Sequence, residues 1–143
     1  MSRYNIGFIC GFFDLLHDGH IEILRYAKSQ CKHLIVGVGT DEFMRKRKHR
    51  ESVLTYEQRV IILKSIRYVD EVVPETDLDK IQAYKEYHFD VMFAGEDHKN
   101  EEIYIEAAQV LQSLGVDTVF IPRNIASSST AIREKVIQLY LSK

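Results

Sequence analysis

Five short apolar runs recur along the chain with amphipathic stretches between them, and this alternation limits the possible folds more than any other feature. "YNIGFIC" (4–10), "HLIVGVGT" (33–40), "YVDEVVP" (68–74), "FDVMFAG" (89–95) and "VDTVFIP" (116–122) are rich in Val, Ile and Phe and read as strands. Their near-continuous apolar character calls for burial on both faces, which favours a parallel sheet. Between them, "HIEILRYAKSQC" (20–31) carries Ile21, Leu24, Ala27 and Lys28 on one face. "TYEQRVIILKSI" (55–66) opens on Thr55 as N-cap and gathers Val60, Leu63 and Ile66. "EIYIEAAQVLQSLG" (102–115) closes on Gly115, and "SSTAIREKVIQLYL" (128–141) starts on hydroxyl caps. Strands alternating with helices predict an α/β fold: an open, mostly parallel five-stranded sheet with helices on both faces, in one domain over 1–143. Ligands of such sheets collect at the carboxyl ends of the strands, near the topological switch point.

Composition excludes several classes. The net charge of −2 argues against a chain-wide electrostatic grip on nucleic acid. The apolar stretch in "MSRYNIGFIC" is too short for a signal peptide, and no run is long enough to span a bilayer. The two cysteines, Cys10 and Cys31, have no metal-type spacing, so reduced thiols in a cytoplasmic protein are expected.

The stretch "GFFDLLHDGH" (11–20) follows the first apolar run. Gly11 permits a sharp turn, and a helix then starts around His17 to His20 with free N–H groups and a positive dipole end. His17 and His20 are three apart and share a face, and Gly19 leaves room for a phosphate against the backbone. This arrangement suits an anion; a surface histidine pair and half of a zinc site are the other readings. A zinc site needs a third ligand, and no spacing ties His33, His49, His88 or His98 to the pair. Near the other end, Arg123 follows the last strand, and Ser127, Ser128, Ser129 and Thr130 open the final helix. One hydroxyl suffices for an N-cap, so four in a row point to a second phosphate cradle. The run "RKRKHR" (45–50) reads as a solvated charge run, a nuclear-localisation-like patch or a nucleic-acid contact, the last disfavoured by the acidic balance. Asp14 is expected to order its loop, Asp41 and Arg59 to pair, and Arg67 to pair with Asp70. Phe12 and Phe13 belong to the core, with the Phe12 amide available to phosphate.

"GFFDLLHDGH" resembles the G-T-F-D-x-x-H-x-G-H signature of the cytidylyltransferase branch of the nucleotidyltransferase superfamily. "RNIASSSTAIR" (123–133) resembles that family's R-T-E-G-I-S-T-T segment and the related I-S-S-T-x-I-R form. "GTDEF" (39–43), "YEQR" (56–59), "RYVDEVVPE" (67–75) and "GEDH" (95–98) fall in the order of the glycerol-3-phosphate cytidylyltransferases. The resemblance implies a Rossmann-like HxGH domain, cytoplasmic and homodimeric, that transfers CMP from CTP to a small phosphorylated alcohol or polyol, with Mg²⁺, and releases pyrophosphate. It implies catalytic roles for His17, His20, Arg123 and Lys46. Gly11, Phe12, Phe13, Gly19, Lys48, Ser127, Ser128, Ser129 and Thr130 would join His17, His20 and Arg123 around the nucleotide. Arg47, Lys80 and Arg67 would meet the acceptor, and the basic run would be a flexible loop. No metal held by protein side chains, nucleic acid or membrane is expected. An acceptor phosphate, with a second pKa of about 6, is mostly dianionic at neutral pH and needs no general base. Catalysis then reduces to positioning and charge neutralisation.

The chain departs from the family pattern where Phe12 replaces Thr, where "RNIAS" replaces R-T-E-G-I, and where Leu78 and His98 stand at tryptophan positions. These changes fall on the acceptor and base side and leave glycerol 3-phosphate or a relative open as acceptor. The competing readings are an adenylyltransferase using ATP, a non-catalytic nucleotide-binding module, and a nucleic-acid binder acting through the basic run.

Overall fold

Each of the five apolar runs forms a strand, and all the pairings are parallel. The computed structural model describes residues 2–123 and 128–142. Among them, β1 (Tyr4–Gly11), β2 (Cys31–Gly39), β3 (Glu71–Glu75), β4 (Val91–Gly95) and β5 (Asp117–Ile121) assemble in the order β3-β2-β1-β4-β5. The chain winds outward from β1 through β2 to β3, then returns to β4 on the other side of β1. The switch point therefore lies between β1 and β4, as the strand pattern requires of an open α/β sheet.

Five α-helices connect the described strands and a sixth follows the last: α1 (Asp18–Gln30), α2 (Asp41–Lys48), α3 (Tyr56–Lys64), α4 (Lys80–Tyr87), α5 (Glu102–Ser113) and α6 (Ser129–Leu141). Side chains alternate across the sheet. Ile9, Val36, Val38 and Phe93 pack with Leu24 and Ala27 of α1 and Leu63 of α3. Phe8, Ile35, Met92 and Ala94 face the other way, against Tyr104 and Leu111 of α5 and the apolar side of α4. Each face thus has its own core, which is why the strands read as continuous apolar runs. No helix of the described residues is long and apolar enough to cross a membrane.

Several boundaries follow from capping. Thr55 caps α3 through the Gln58 amide, and Gln58 returns a bond to the Thr55 amide. Gly115, at φ 81°, ends α5 in a Schellman arrangement: Val116 donates to the Leu111 carbonyl and Gly115 to the Gln112 carbonyl. Helix α1 starts two residues before the apolar periodicity, because His17 is its cap.

Two helices lie where periodicity marks none. Helix α4 is capped by Asp79, whose carboxylate accepts the Gln82 amide. Helix α2 contains Arg45 to Lys48, so the expected flexible basic loop is corrected: most of it is helical. Thr40 caps α2, Asp41 and Glu42 sit in its first turn and four cations in its last, the arrangement a helix dipole favours. Phe43 and Met44 are buried and anchor it to the body of the protein.

Candidate active site

β1, β2 and β4 end in Gly11, Gly39 and Gly95, side by side at the carboxyl edge of the sheet. A side chain at Gly39 would place its Cβ 2.3 Å from the Phe12 ring, so glycine there lets Phe12 pack flat on the strand end. The chain then makes a tight loop, with Phe13 at φ 54° and Leu15 at φ 51°. Left-handed backbone at two non-glycine residues costs of order 1 kcal/mol each and persists only where the surroundings enforce it.

Asp14 provides much of that enforcement. It is 4% exposed, and its carboxylate accepts the amides of Leu15, Val53 and Leu54. Its carbonyl accepts the Ser129 hydroxyl, and Arg133 of α6 approaches its carboxylate at 3.8 Å. Asp14 therefore ties the loop to the segment before α3 and to the start of α6, the ordering role its sequence position suggests. Arg59 does the same from below. Its guanidinium, 1% exposed, donates to the carbonyls of Phe12 (2.7 Å), Gly39 (2.6 Å) and Leu54 (3.1 Å) and to Asp41 (2.7 Å).

His17 and His20 close the first turn of α1. The Gly19 amide donates to His17 Nδ1 (3.0 Å), and the His17 amide donates to His20 Nδ1 (3.2 Å). A ring nitrogen that accepts an amide proton carries none of its own, so a neutral ring must hold its proton on Nε2. Burial lowers the pKa of both rings. For His17, Asp18 works in the opposite direction and Arg123 in the same one; for His20, His17 and Arg123 add to burial and bring the value to about 4. At neutral pH His20 is thus an uncharged Nε2–H donor, and His17, its ring centroid 4.0 Å away, shares the same geometry.

Both histidines line a pocket of about 180 Å³ at the switch point. Its walls come from β1 and its loop (Ile9 to Phe13), from Gly19 and Ile23 of α1, from Ala94, Gly95, Asp97 and His98 after β4, and from Tyr104 and Arg123. Gly11, Phe12, Phe13, His17, Gly19, His20 and Arg123, seven residues singled out from sequence for the nucleotide, converge here. The pocket combines the capped start of α1, two imidazole donors and an arginine, an arrangement able to hold phosphate and to stabilise charge on a phosphorus centre.

A second pocket of about 220 Å³ shares the wall of Cys10, Gly11, Phe12, His98 and Tyr104 and extends to Phe43, Arg47, Lys48, Glu75, Leu78, Lys80, Glu101 and Ile103. The phase of α2 decides which cations reach it. Arg47 and Lys48 line it, whereas Lys46 pairs with Glu42 one turn back (3.2 Å) on the exposed face and lines neither pocket. The structure therefore does not bring Lys46, expected to be catalytic, to either pocket. Lys48, expected at the nucleotide, lines the second pocket instead.

Lys80 lies in the wall of the second pocket, 4% exposed. Its Nζ meets Glu75 Oε2 and Cys10 Sγ, each at 2.9 Å, and stands 5.3 Å from the Tyr104 ring centre. Burial opposes the ammonium charge, but Cys10 and Glu75 more than offset it and hold its pKa above the ordinary lysine value. Burial pushes the Cys10 thiol up to about 12, so Glu75 is the counter-ion at neutral pH. A carboxylate, a sulfur and a ring face account for the three donors of an ammonium.

The remaining expected residues fall out differently. Ser128 caps α6 through the Ala131 amide (3.0 Å), Ser129 donates to Asp14, and Thr130 accepts from Arg133 (3.2 Å). Each of these hydroxyls has a protein partner and none lines either pocket, so their number does not argue for phosphate. Ser127 lies outside the described residues. Arg67 does not reach the pockets. It precedes β3 at the amino end of the sheet, where it donates to the Tyr68 hydroxyl (2.9 Å) and covers that ring. Nor does it pair with Asp70, which binds Lys28 and the Leu34 amide. The geometry adds Glu75, Asp97, Glu101 and Tyr104 to the pocket walls; Glu75 and Asp97 lie in the stretches "RYVDEVVPE" and "GEDH", whereas Glu101 and Tyr104 belong to no motif and are revealed only by the fold.

A model of the cytidylyltransferase-like family matches residues 8–135. The chain is 36% identical over 130 residues to the glycerol-3-phosphate cytidylyltransferase of Bacillus subtilis (strain 168), covering 90% of this chain and 95% of that protein. It is also 36% identical over 137 residues to the FAD synthase of Korarchaeum cryptofilum (strain OPF8), covering 94% of this chain and 92% of that one. The crystal structure of the lipopolysaccharide core biosynthesis protein from Thermoplasma volcanium GSS1 superposes with a TM-score of 0.74 at 25% identity, over 85% of this chain and 99% of that one.

Proposed function

The chain belongs to the cytidylyltransferase-like family, and from that premise we propose that it transfers CMP from CTP to a small phosphorylated alcohol or polyol. The products are a CDP-alcohol and pyrophosphate. The observation that carries the reading is the pair of Nε2–H donors, His17 and His20, at the start of α1 in the switch-point pocket.

In this mechanism the triphosphate lies across the start of α1, with Arg123 at its β- and γ-phosphates. The acceptor enters the second pocket, its phosphate toward Arg47 and Lys48. An oxygen of that dianion attacks the α-phosphorus in line, the new P–O bond forms, and the bond to the β-phosphate oxygen breaks, with the electron pair leaving on pyrophosphate. No proton transfer is required, so neutral histidines suffice: they donate hydrogen bonds to the oxygens of the five-coordinate phosphorus as charge builds there. Mg²⁺ fits as a companion of the nucleotide. Among the described residues no group of three His, Cys, Asp or Glu side chains could hold a metal, whereas phosphate oxygens and water are ordinary Mg²⁺ ligands. Bound there, it would offset the charge of the leaving pyrophosphate. The cytoplasmic homodimer implied by the resemblance is part of the proposal, with sedimentation as the test of its assembly.

A second reading uses ATP. The FAD synthase relative is as similar over as much of the chain as the cytidylyltransferase. Pyrophosphate release with CTP and with ATP, each against a panel of alcohol phosphates, separates the two. The proposal expects turnover with CTP; turnover with ATP alone supports the alternative, and none with either nucleotide overturns both.

A further inference from the structure

We propose that the second pocket selects acceptor phosphates whose carbon chain is apolar rather than hydroxylated, and that Phe12 sets this preference; the inference rests on the transferase reading above.

The carboxylates of that pocket and Lys80 are paired. Glu75 is held by Lys80 at 2.9 Å, and Glu101 by His98 Nδ1 at 3.0 Å. Lys80 is surrounded by Glu75, Cys10 and the Tyr104 ring. Arg47 and Lys48 stand on the last turn of α2 as exposed cations, suited to the acceptor phosphate. The rest of the lining is mostly apolar: Phe12, Phe43, Leu78, Ile103 and the Tyr104 ring, beside Cys10 and Gly11 of β1. A chain of carbon atoms fits such a wall; a chain of hydroxyls would bury donors and acceptors against it unpaired.

Phe12 is the central piece of the wall, and its position is fixed. Its carbonyl is held by Arg59 at 2.7 Å, its ring lies on Gly39, and the Phe43 ring centre is 5.3 Å away. It also lines the nucleotide pocket, so it forms the partition between the two sites, beside the reacting atoms.

A matched pair of acceptors tests this. Propyl phosphate is glycerol 3-phosphate without its two free hydroxyls. A site built to read hydroxyls rejects the analogue that lacks them by about 10⁴- to 10⁵-fold, whereas an apolar pocket disfavours an added hydroxyl by up to about 10²-fold. Pyrophosphate release is followed with whichever nucleotide supports turnover. The expected result is a kcat/KM for propyl phosphate about 10- to 100-fold above that for glycerol 3-phosphate. Phe12→Thr should narrow or invert the ratio, and Phe12→Leu, which stays apolar, should keep it. Because each ratio compares two substrates on one preparation, loss of folded enzyme does not move it. A wild-type preference for glycerol 3-phosphate, or a ratio that Phe12→Thr leaves unchanged, overturns the inference and leaves the transferase reading standing. No pyrophosphate from CTP or ATP with either ester or any other alcohol phosphate overturns that reading, and this inference with it.

Discussion

The main-chain amide of His17 donates to Nδ1 of His20, 3.2 Å away, so the two residues assigned to the chemistry also build the helix turn that holds them. One nitrogen of each ring is spent on the fold, and in the proposed mechanism the other meets the substrate. This division separates structural from chemical effects of substitution, because asparagine places a side-chain oxygen where Nδ1 stands and offers nothing in place of Nε2–H.

Stability should depend on His20 between pH 4 and 6.5. Burial, with help from His17 and Arg123, lowers its pKa to about 4 in the folded chain, against 6.5 for an unperturbed ring. In that window the unfolded chain binds a proton that the folded chain does not, so stability rises with pH and is lost as pH falls. The full effect is at most about 3 kcal/mol. Urea unfolding of wild type and His20→Asn across pH 4 to 7 checks it: the variant should show the shallower dependence. Equal slopes would mean that His20 titrates normally when folded.

Arg59 should be the costliest surface-free charge to remove. Arg59→Ala takes one donor from Asp41 and from each of the carbonyls of Phe12, Gly39 and Leu54, and breaking such a buried network costs about 3–5 kcal/mol. The melting temperature should drop by on the order of 10 °C. Arg59→Lys keeps the charge but not the planar fork, so it should recover only part of the loss. A melting temperature for Arg59→Ala within two or three degrees of wild type would contradict the clamp.

The phase of α2 predicts a contrast between adjacent cations. Arg47→Ala should raise the KM for the acceptor phosphate by about 10-fold or more, the scale of one charge-assisted hydrogen bond, while Lys46→Ala should change it by less than about 2-fold. Steady-state kinetics with saturating nucleotide reads both. A larger effect at Lys46 than at Arg47 would mean that the helix presents its other face to substrate.

The sheet, its direction and the loop of the two histidines were legible because each rests on local signals: apolar runs, a glycine turn, a cap. What was not legible depends on distance or phase. The loop expected of the basic run from Arg45 comes from the resemblance alone, and its unbroken charge carries no helical period to set against it; the burial of Phe43 and Met44 sets the phase of α2. Arg59 has an evident partner in Asp41, but three of its four acceptors are carbonyls, which no side-chain pattern encodes. Arg67 resembles a site residue by motif, yet it sits at the amino end of β3, and a motif does not say which end of a strand it occupies. The hydroxyls before α6 look surplus in sequence because the loop atom that engages Ser129 lies 115 residues away.

The central claim is that Nε2–H of the histidine pair stabilises nucleotidyl transfer, and His17→Asn tests it most directly. Asparagine is a good N-cap, so the Gly19 amide keeps an acceptor and the melting temperature should stay near that of wild type. Pyrophosphate release from CTP with a reactive alcohol phosphate should fall by about 10²- to 10³-fold, the loss of one transition-state donor. A rate within a few-fold of wild type, from a variant that melts normally, would contradict the account.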